Sequence, residues 1–350
     1  MNMKILQICN YPAWIKVSER KQPSHHLFGT YQEIEKFIQI KGGGKIRGLL
    51  KGNKGYIDFQ LWMGEKTMFD FIKLYFICFK YDILYDTLCC VTKQMGVLFR
   101  LFRPCKLVTI MHHPPFTKIL RYTRSDAYIF FDITYRNMAV RDIPSMKDRY
   151  KAIRWQPDKE WYAGMLAKIG RPETSYDFID NGKTARDHEL MAKAVYETNS
   201  RTVLINHPDL RPKNYREGGC LTFINQFRPD DTILLHYLSS SACVLVPCRK
   251  KEGQTLLGPV GSTSFMDAIA LGKPVICSDN LYFADEVKRY ELGLVYEAGN
   301  QDSLAACMRK MKDDTVFRQA CAANMRRYAE GKSIANYSRE LFVIFGRIVD

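Results

Sequence analysis

The sequence predicts an α/β protein built from two parallel-sheet halves, and three observations carry that expectation. Short apolar runs alternate with amphipathic helical stretches along most of the chain. The alternation pauses at Ile153–Tyr162 and then starts again. The stretch Gly261–Asp279 compresses the pattern into one unit: a small-residue turn, a short helix, a tight stop and a buried strand.

In chain order, Lys4–Cys9 reads as a buried first strand. A polar, turn-rich segment with Pro12 and Pro23 follows it, and Thr30–Ile40 then has Tyr31, Ile34, Phe37 and Ile38 on one helical face. Gly42-Gly43-Gly44 is a break without the strand-and-helix context of a phosphate loop. Tyr56–Trp62 reads as a strand, Phe69–Phe79 as a helix and Ile83–Tyr85 as a strand. Lys93–Phe102 is a helix that stops before Pro104. Lys106–Met111 is a strand ending at His112-His113-Pro114-Pro115, and Ala127–Phe131 is a further strand.

After the crossover a strand ends at Asp180 and Asn181–Asp187 makes a turn. A helix to Tyr196, a strand at Thr202–Asn206, a helix at Ile233–Leu238 and a strand at Cys243–Pro247 come next. In the compressed unit, Ser262, Thr263 and Ser264 are capping residues, and Ser264 with Asp267 spells a variant capping box. Gly272 suits a left-handed C-cap and Pro274 forbids continuation. Gly293–Tyr296 is the last strand, and Asp302–Ile348 reads as helical.

Composition narrows the class. The chain has 350 residues, 46% hydrophobic and 25% charged, enough for two packed cores. Its net charge of +15 is uneven, with 24 Lys and Arg against 12 Asp and Glu in residues 1–150 and 28 against 25 in the rest. A basic first half suits an anionic partner: a phosphorylated substrate or an anionic membrane face. No RNA or DNA module accompanies the charge, so a nucleic-acid partner is not expected. The 11 cysteines include no C-x-x-C pair, which fits reduced thiols in a cytoplasmic protein and no metal centre. No run of about 18 apolar residues predicts a membrane span, although Met68–Phe79 reads either as a core helix or as an interfacial one.

Open parallel sheets take ligands at the carboxyl ends of their strands. Three such ends fall in the second half: Asn181–Asp187, Pro247–Gly253 and the helix entry at Gly261–Asp267. A helix N-terminus rich in Gly, Ser and Thr offers N–H groups, hydroxyls and the positive dipole end to a phosphate. Arg249, Lys250 and the Gly261, Ser262, Thr263 and Ser264 turn are therefore expected to cradle a diphosphate, with Gly182, Lys183, Arg186 and Asp187 approaching from the first loop. Asp267, one turn into the helix, is placed to accept from ribose hydroxyls. In the first half, His112 and His113 at a strand end are candidate catalytic groups, and His25, His26 and Gly29 are candidate acceptor contacts.

Asp230–Pro247 followed by Gly261–Asp279 resembles the nucleotide-sugar half of GT-B glycosyltransferases of the family 4-like group, the glycosyl transferases group 1. Met266-Asp-Ala-Ile-Ala-Leu-Gly-Lys-Pro-Val-Ile276 is similar to the family's L-E-A-M-A-x-G-K-P-V-I signature, and Asn181–Asp187 to its G-x-x-x-R-D turn. The resemblance implies two Rossmann-like domains facing across a cleft, with the C-terminal helix returning to the N-terminal domain. Residues 1–157 with 330–350 would form the acceptor domain, and 158–329 the nucleotide-sugar domain. It also implies a nucleoside-diphosphate-sugar donor, no cofactor and no metal. Arg186, Arg249 or Lys250 and the helix N-terminus are expected to stabilise the leaving diphosphate. Of the family's two glutamates, the later corresponds to Asp267 and the earlier falls at Pro259. The expected function is sugar transfer to a saccharide acceptor, free or lipid-linked, in surface polysaccharide or glycoconjugate biosynthesis, by a protein that is cytoplasmic, either free or peripheral at the cytoplasmic face of the membrane. A nucleotide-sugar epimerase and a non-catalytic glycan-binding partner are the alternatives.

Overall fold

The computed structural model describes residues 3–9, 16–17, 19–30, 47–51, 54–58, 68–87, 89–112, 120, 123–170, 172–225, 231–250 and 259–350. The expected helix over Thr30–Ile40, the triple glycine, His113 and the end of the Tyr56–Trp62 strand lie wholly or largely outside these residues. The chain divides into two compact units, 1–156 with 334–350, and 157–333.

The first unit holds β1 (Ile5–Cys9), β2 (Arg47–Lys51), β3 (Lys54–Asp58), α1 (Met68–Cys78), β4 (Ile83–Asp86), α2 (Cys90–Leu101), β5 (Lys106–Met111), β6 (Ala127–Phe130), α3 (Ile133–Asp142) and β7 (Tyr150–Ala152). Its seven strands run in the order β2-β3-β1-β4-β5-β6-β7. All pairs are parallel except the β2–β3 edge. Strand side chains alternate between two cores, because both faces are covered. Leu6, Ile8, Leu84 and Leu107 meet Leu74 of α1 and Met95 and Phe99 of α2 on one face.

The other face of that sheet is covered from the far end of the chain. Ile5, Ile83, Tyr85, Val108 and Ile110 pack against Tyr337, Leu341 and Phe345. Those residues belong to the last helix, Ile334–Val349, whose 337, 341 and 345 spacing places them on one stripe. Gly29 permits the approach: it holds φ +88°, and a Cβ on it would lie 2.7 Å from the Tyr337 ring. Ser338 adds a hydrogen bond from its hydroxyl to the Gly29 carbonyl.

The second unit contains α4 (Lys159–Ile169), β8 (Tyr176–Asp180), α5 (His188–Thr198), β9 (Thr202–Asn206), β10 (Leu221–Asn225), α6 (Asp231–Ser240), β11 (Ser241–Val246), α7 (Ser262–Leu271), β12 (Val275–Ser278), α8 (Ala284–Arg289), β13 (Gly293–Tyr296), α9 (Gln301–Asp313) and α10 (Thr315–Ala329). The helix returning to the first unit, Ile334–Val349, is α11. Six parallel strands form the sheet β10-β9-β8-β11-β12-β13. Phe265, Ala268 and Ile269 of α7 and Met325 of α10 pack on one face, with Met191 of α5 and Leu304 and Met308 of α9 on the other.

Several elements depart from the sequence expectation. The crossover at Ile153–Tyr162 already contains the start of α4, whose N-cap Asp158 accepts from the Trp161 N–H at 3.1 Å. The single helical region after Asp302 is three helices. Asp314 caps the second of them through Phe317 N–H, and Gly331 at φ +69° lies in the turn before the third. β2, β7 and β10 were not expected, because short edge strands carry too few residues for a period to show.

Candidate functional site

The site is assembled from three loop ends of the second unit. β8 delivers Asp180 and the turn 181–187, β11 delivers Pro247–Lys250, and α7 begins at Ser262. Because β8 and β11 are parallel neighbours, their carboxyl ends emerge side by side. The two loops are pinned by backbone: Asp187 N–H donates to Pro247 O at 2.7 Å and Arg249 N–H to Ala185 O at 2.9 Å. Asn280 Nδ2 adds a bond to Arg249 O at 2.9 Å from the loop after β12.

Arg186 is the centre of the assembly and is turned inward, 3% exposed. Its Nε donates to Asp180 Oδ1 at 3.2 Å, its Nη2 to Ser264 Oγ at 3.0 Å, and its Nη1 approaches Cys248 Sγ at 3.3 Å and Thr184 O at 3.4 Å. The sequence expectation put this guanidinium on a diphosphate; here it ties all three loop ends together from beneath. Asp180 is fully buried. Burial alone would push its carboxyl up, but the Arg186 charge, the His188 ring and the Gly182 N–H together hold it below the usual carboxylate range. Gly182 leaves room for this guanidinium, since a Cβ on it would lie 2.0 Å from Arg186 Nη2.

The α7 entry also differs from the capping-box expectation. Gly261, at φ +81°, is the N-cap and supplies no side chain. Ser262 turns its hydroxyl to Pro259 O and to Tyr282. Ser264 donates to Asn181 Oδ1 at 2.8 Å. Two of the three hydroxyls are thus consumed internally, and Thr263 is the exposed one. Among the described residues no backbone acceptor takes the Thr263 or Ser264 N–H, so both retain the donor character of a helix start. Gly272 takes the expected left-handed C-cap at φ +63°, and Lys273 N–H returns to Ala268 O.

Asp267 lies one turn below and is buried. Tyr162 donates to its Oδ1, and Asn181 Nδ2 to its Oδ2 at 2.8 Å. Burial pushes its carboxyl up to about 6, against the pull of those two hydrogen bonds. Asp187 serves as the N-cap of α5, accepting from Leu190 N–H at 3.2 Å. Lys183, Arg249 and Lys250 are exposed, and Lys250 lies 3.9 Å from Glu297. The result is an exposed basic rim and a helix start over a fully tied polar floor. Among the described residues no group of three His, Cys, Asp or Glu could hold a metal ion.

In the first unit, His112 follows the end of β5. Its Nε2 lies 2.6 Å from Thr87 O, and its ring meets Phe28 and Phe131 edge-on at 5.7 and 5.1 Å. The carbonyl partner makes Nε2 the donor of this contact. His25 is buried and His26 half-buried; burial lowers both, with a further push from His26 on His25 and from Lys16 on His26, which falls to about 4. Trp155 stacks on Phe28 and Phe131 and donates from its indole to His25 O at 2.9 Å. Gly29 is occupied by Tyr337 of α11. Sequence reasoning missed Tyr162 and Cys248 because their partners are remote, 105 residues for Tyr162 and Asp267 and 62 for Cys248 and Arg186; it missed Asp180, whose partners are near, because the inward turn of Arg186 is not a local signal.

Two parallel α/β units exchanging a C-terminal helix, with a glycine-started helix at the switch of the second sheet, define the GT-B class. Residues 221–328 match the family model for glycosyl transferases group 1. HepE of Anabaena in complex with UDP-glucose is similar over 99% of this chain and 100% of its own, at TM-score 0.67 and 13% identity. Sucrose-phosphate synthase of Thermosynechococcus elongatus is similar over 99% of both chains, at 0.67 and 13%. A glycosyltransferase of Rickettsia africae is similar over 99% of both, at 0.66 and 13%. No curated protein sequence matches the chain. The chain has the GT-B fold, and its residues 221–328 carry the likeness to the glycosyl transferases group 1.

Proposed function

We propose that the protein transfers a sugar from a nucleoside-diphosphate donor, held at the 181–187, 247–250 and 261–264 loop ends, to a saccharide acceptor carried on a lipid at the cytoplasmic face of a membrane, in surface polysaccharide assembly. The observation that carries the donor site is the start of α7. Thr263 and Ser264 present N–H groups without backbone acceptors among the described residues, with the exposed Thr263 hydroxyl, and Arg249 and Lys250 rise from the adjoining loop.

The chemical problem is charge. The diphosphate gains negative charge as the glycosidic bond breaks, and fixed N–H dipoles with nearby cations stabilise it without reorganising. Arg186 acts here as a positioning residue, since its donors hold the α7 start against the β8 loop. Asp267, held by Tyr162 and Asn181, keeps lone pairs on both carboxylate oxygens for a ribose hydroxyl. No metal enters this reading. His112, at the end of β5, is the candidate group for the acceptor hydroxyl, and His113 follows it in the chain. The lipid-linked acceptor is supported by the basic first half, with 24 Lys and Arg against 12 Asp and Glu in residues 1–150. Among the described residues no helix is long and apolar enough to cross a membrane, so contact with one would be peripheral.

The test is thermal stabilisation by UDP, other nucleoside diphosphates and their sugars, followed by product analysis with saccharide acceptors. A ligand at a hundred times its Kd contributes about 2.7 kcal/mol by linkage. A melting point unmoved by every nucleotide tried would remove the donor site as described.

A further inference from the structure

The outer surface of the first unit carries an apolar strip that the donor chemistry does not use. α1 and α2 lie side by side on one face of the seven-stranded sheet, and their inner residues Leu74, Met95 and Phe99 fill the core beneath. Their outer residues are apolar as well. Phe76 is 64% exposed, Phe79 60%, Leu101 67% and Phe102 63%, with Ile72 and Val97 further up the same helices. Tyr75 joins the two strips: its hydroxyl donates to Phe102 O at 3.1 Å, and its ring meets Phe76, Phe79 and Phe99 edge-on. Surface helices of a soluble unit ordinarily turn polar groups outward, so a continuous aromatic strip of this kind marks a contact surface.

Charge selects the occupant. Between Met68 and Lys106 the chain carries six Lys and Arg and three Asp. Lys80 follows Phe79 directly, and Arg100 and Arg103 flank Leu101-Phe102, all three exposed. Asp86 is buried on Thr92, and Asp82 accepts the Lys4 N–H from the sheet edge. Arg103 pairs with Asp126 at 3.2 Å but keeps its side chain 41% exposed. Two copies of this chain meeting through a two-fold contact would set this cationic rim against itself. An anionic bilayer neutralises it and takes the aromatic side chains into its interface.

We propose that the α1–α2 face is a docking surface for an anionic lipid bilayer, with Phe76, Phe79, Leu101 and Phe102 entering the headgroup boundary and Lys80, Arg100 and Arg103 on the phosphates. It gives the membrane contact of the proposed function a defined surface and rests on that part of the reading alone; the donor site belongs to the other unit. Because helices run antiparallel to their strands in such units, the C-terminal ends of α1 and α2 sit at the amino edge of the sheet.

The test is co-sedimentation of the full-length protein with phosphatidylcholine vesicles, with and without phosphatidylglycerol, alongside UDP titration of each variant. The wild type is expected to bind anionic vesicles, more weakly at high salt, and to ignore neutral ones. F76S/F79S and L101S/F102S should each weaken vesicle binding about tenfold or more while UDP binding stays as in the wild type. Phe79→Trp should blue-shift its added emission only with anionic vesicles. Absent vesicle binding, equal binding to neutral lipid, or variants that bind like the wild type would overturn the proposal. So would a dimer in solution that these substitutions dissolve. Loss of UDP binding by the wild type would instead count against the donor site and leave this surface standing.

Discussion

Arg186 Nη2 donates to Ser264 Oγ across 3.0 Å, joining residues that begin two different helical units 78 positions apart. The same guanidinium neutralises Asp180, so one buried cation both holds the α7 start in place and satisfies the carboxylate at the end of β8.

Removing it should unfold rather than merely disarm the protein. Arg186→Ala leaves Asp180 buried without its cation, and breaking a buried pair costs about 3–5 kcal/mol. Urea unfolding measures it. If Arg186→Ala kept wild-type stability and lost only UDP affinity, the guanidinium would be a phosphate ligand and not a positioning residue.

Gly182→Ala probes the same floor with a smaller change. The added methyl falls 2.0 Å from Nη2, so the guanidinium must shift and the Ser264 bond should be lost. UDP affinity is expected to fall about tenfold, the equivalent of roughly 1.4 kcal/mol. Unchanged affinity by calorimetry would mean that the α7 start does not depend on Arg186.

At the rim, Thr263→Ala and Arg249→Ala change exposed groups and should leave the melting point within a few degrees. Arg249→Ala should flatten the salt dependence of UDP binding, whereas Thr263→Ala should lower affinity at every salt concentration. Identical salt slopes for Arg249→Ala and wild type would take that side chain out of the site.

Asp267 sets a pH dependence with a definite sign. Its folded carboxyl titrates at about 6 against 3.8 for the unconstrained group, so the folded state holds the proton more tightly than the unfolded one. Stability from this group is highest below about pH 3.8 and falls as pH rises towards 6. Asp267→Asn should remove that fall, and melting curves of the two proteins should converge at low pH and separate by pH 6.5. Parallel curves would show that the carboxyl is already ionised in the fold.

His26 runs the other way. Its folded value of about 4 lies below the usual 6.5, so the stability that it contributes is complete above 6.5 and is lost as pH falls towards 4. His26→Gln should therefore be less sensitive to acid over that window, read as melting point against pH. Equal acid sensitivity would place His26 in water.

Much of this was legible before any coordinates. The βα alternation gives two parallel sheets, because an apolar run of five or six residues followed by a helical period has few other ways to be buried. The Gly272-Lys-Pro stop and the strand after it follow from glycine's left-handed conformation and proline's missing donor. The chain after Asp302 was legible as helical but not its division into three helices, and the face of the first sheet that Tyr337, Leu341 and Phe345 cover was not local information.

The sequence by itself determined which residues stand at the strand ends and helix start, since those follow from periodicity and backbone propensity within a few residues. Only the tertiary structure decided what their side chains do. Arg186, Ser264 and Asp267 all looked outward as ligands on a one-dimensional reading. Folding places an uncompensated Asp180, an Asn181 amide and a Tyr162 hydroxyl beside them, and buried polar groups must pair where they are. That pairing places all three in the floor beneath Thr263, Arg249 and Lys250.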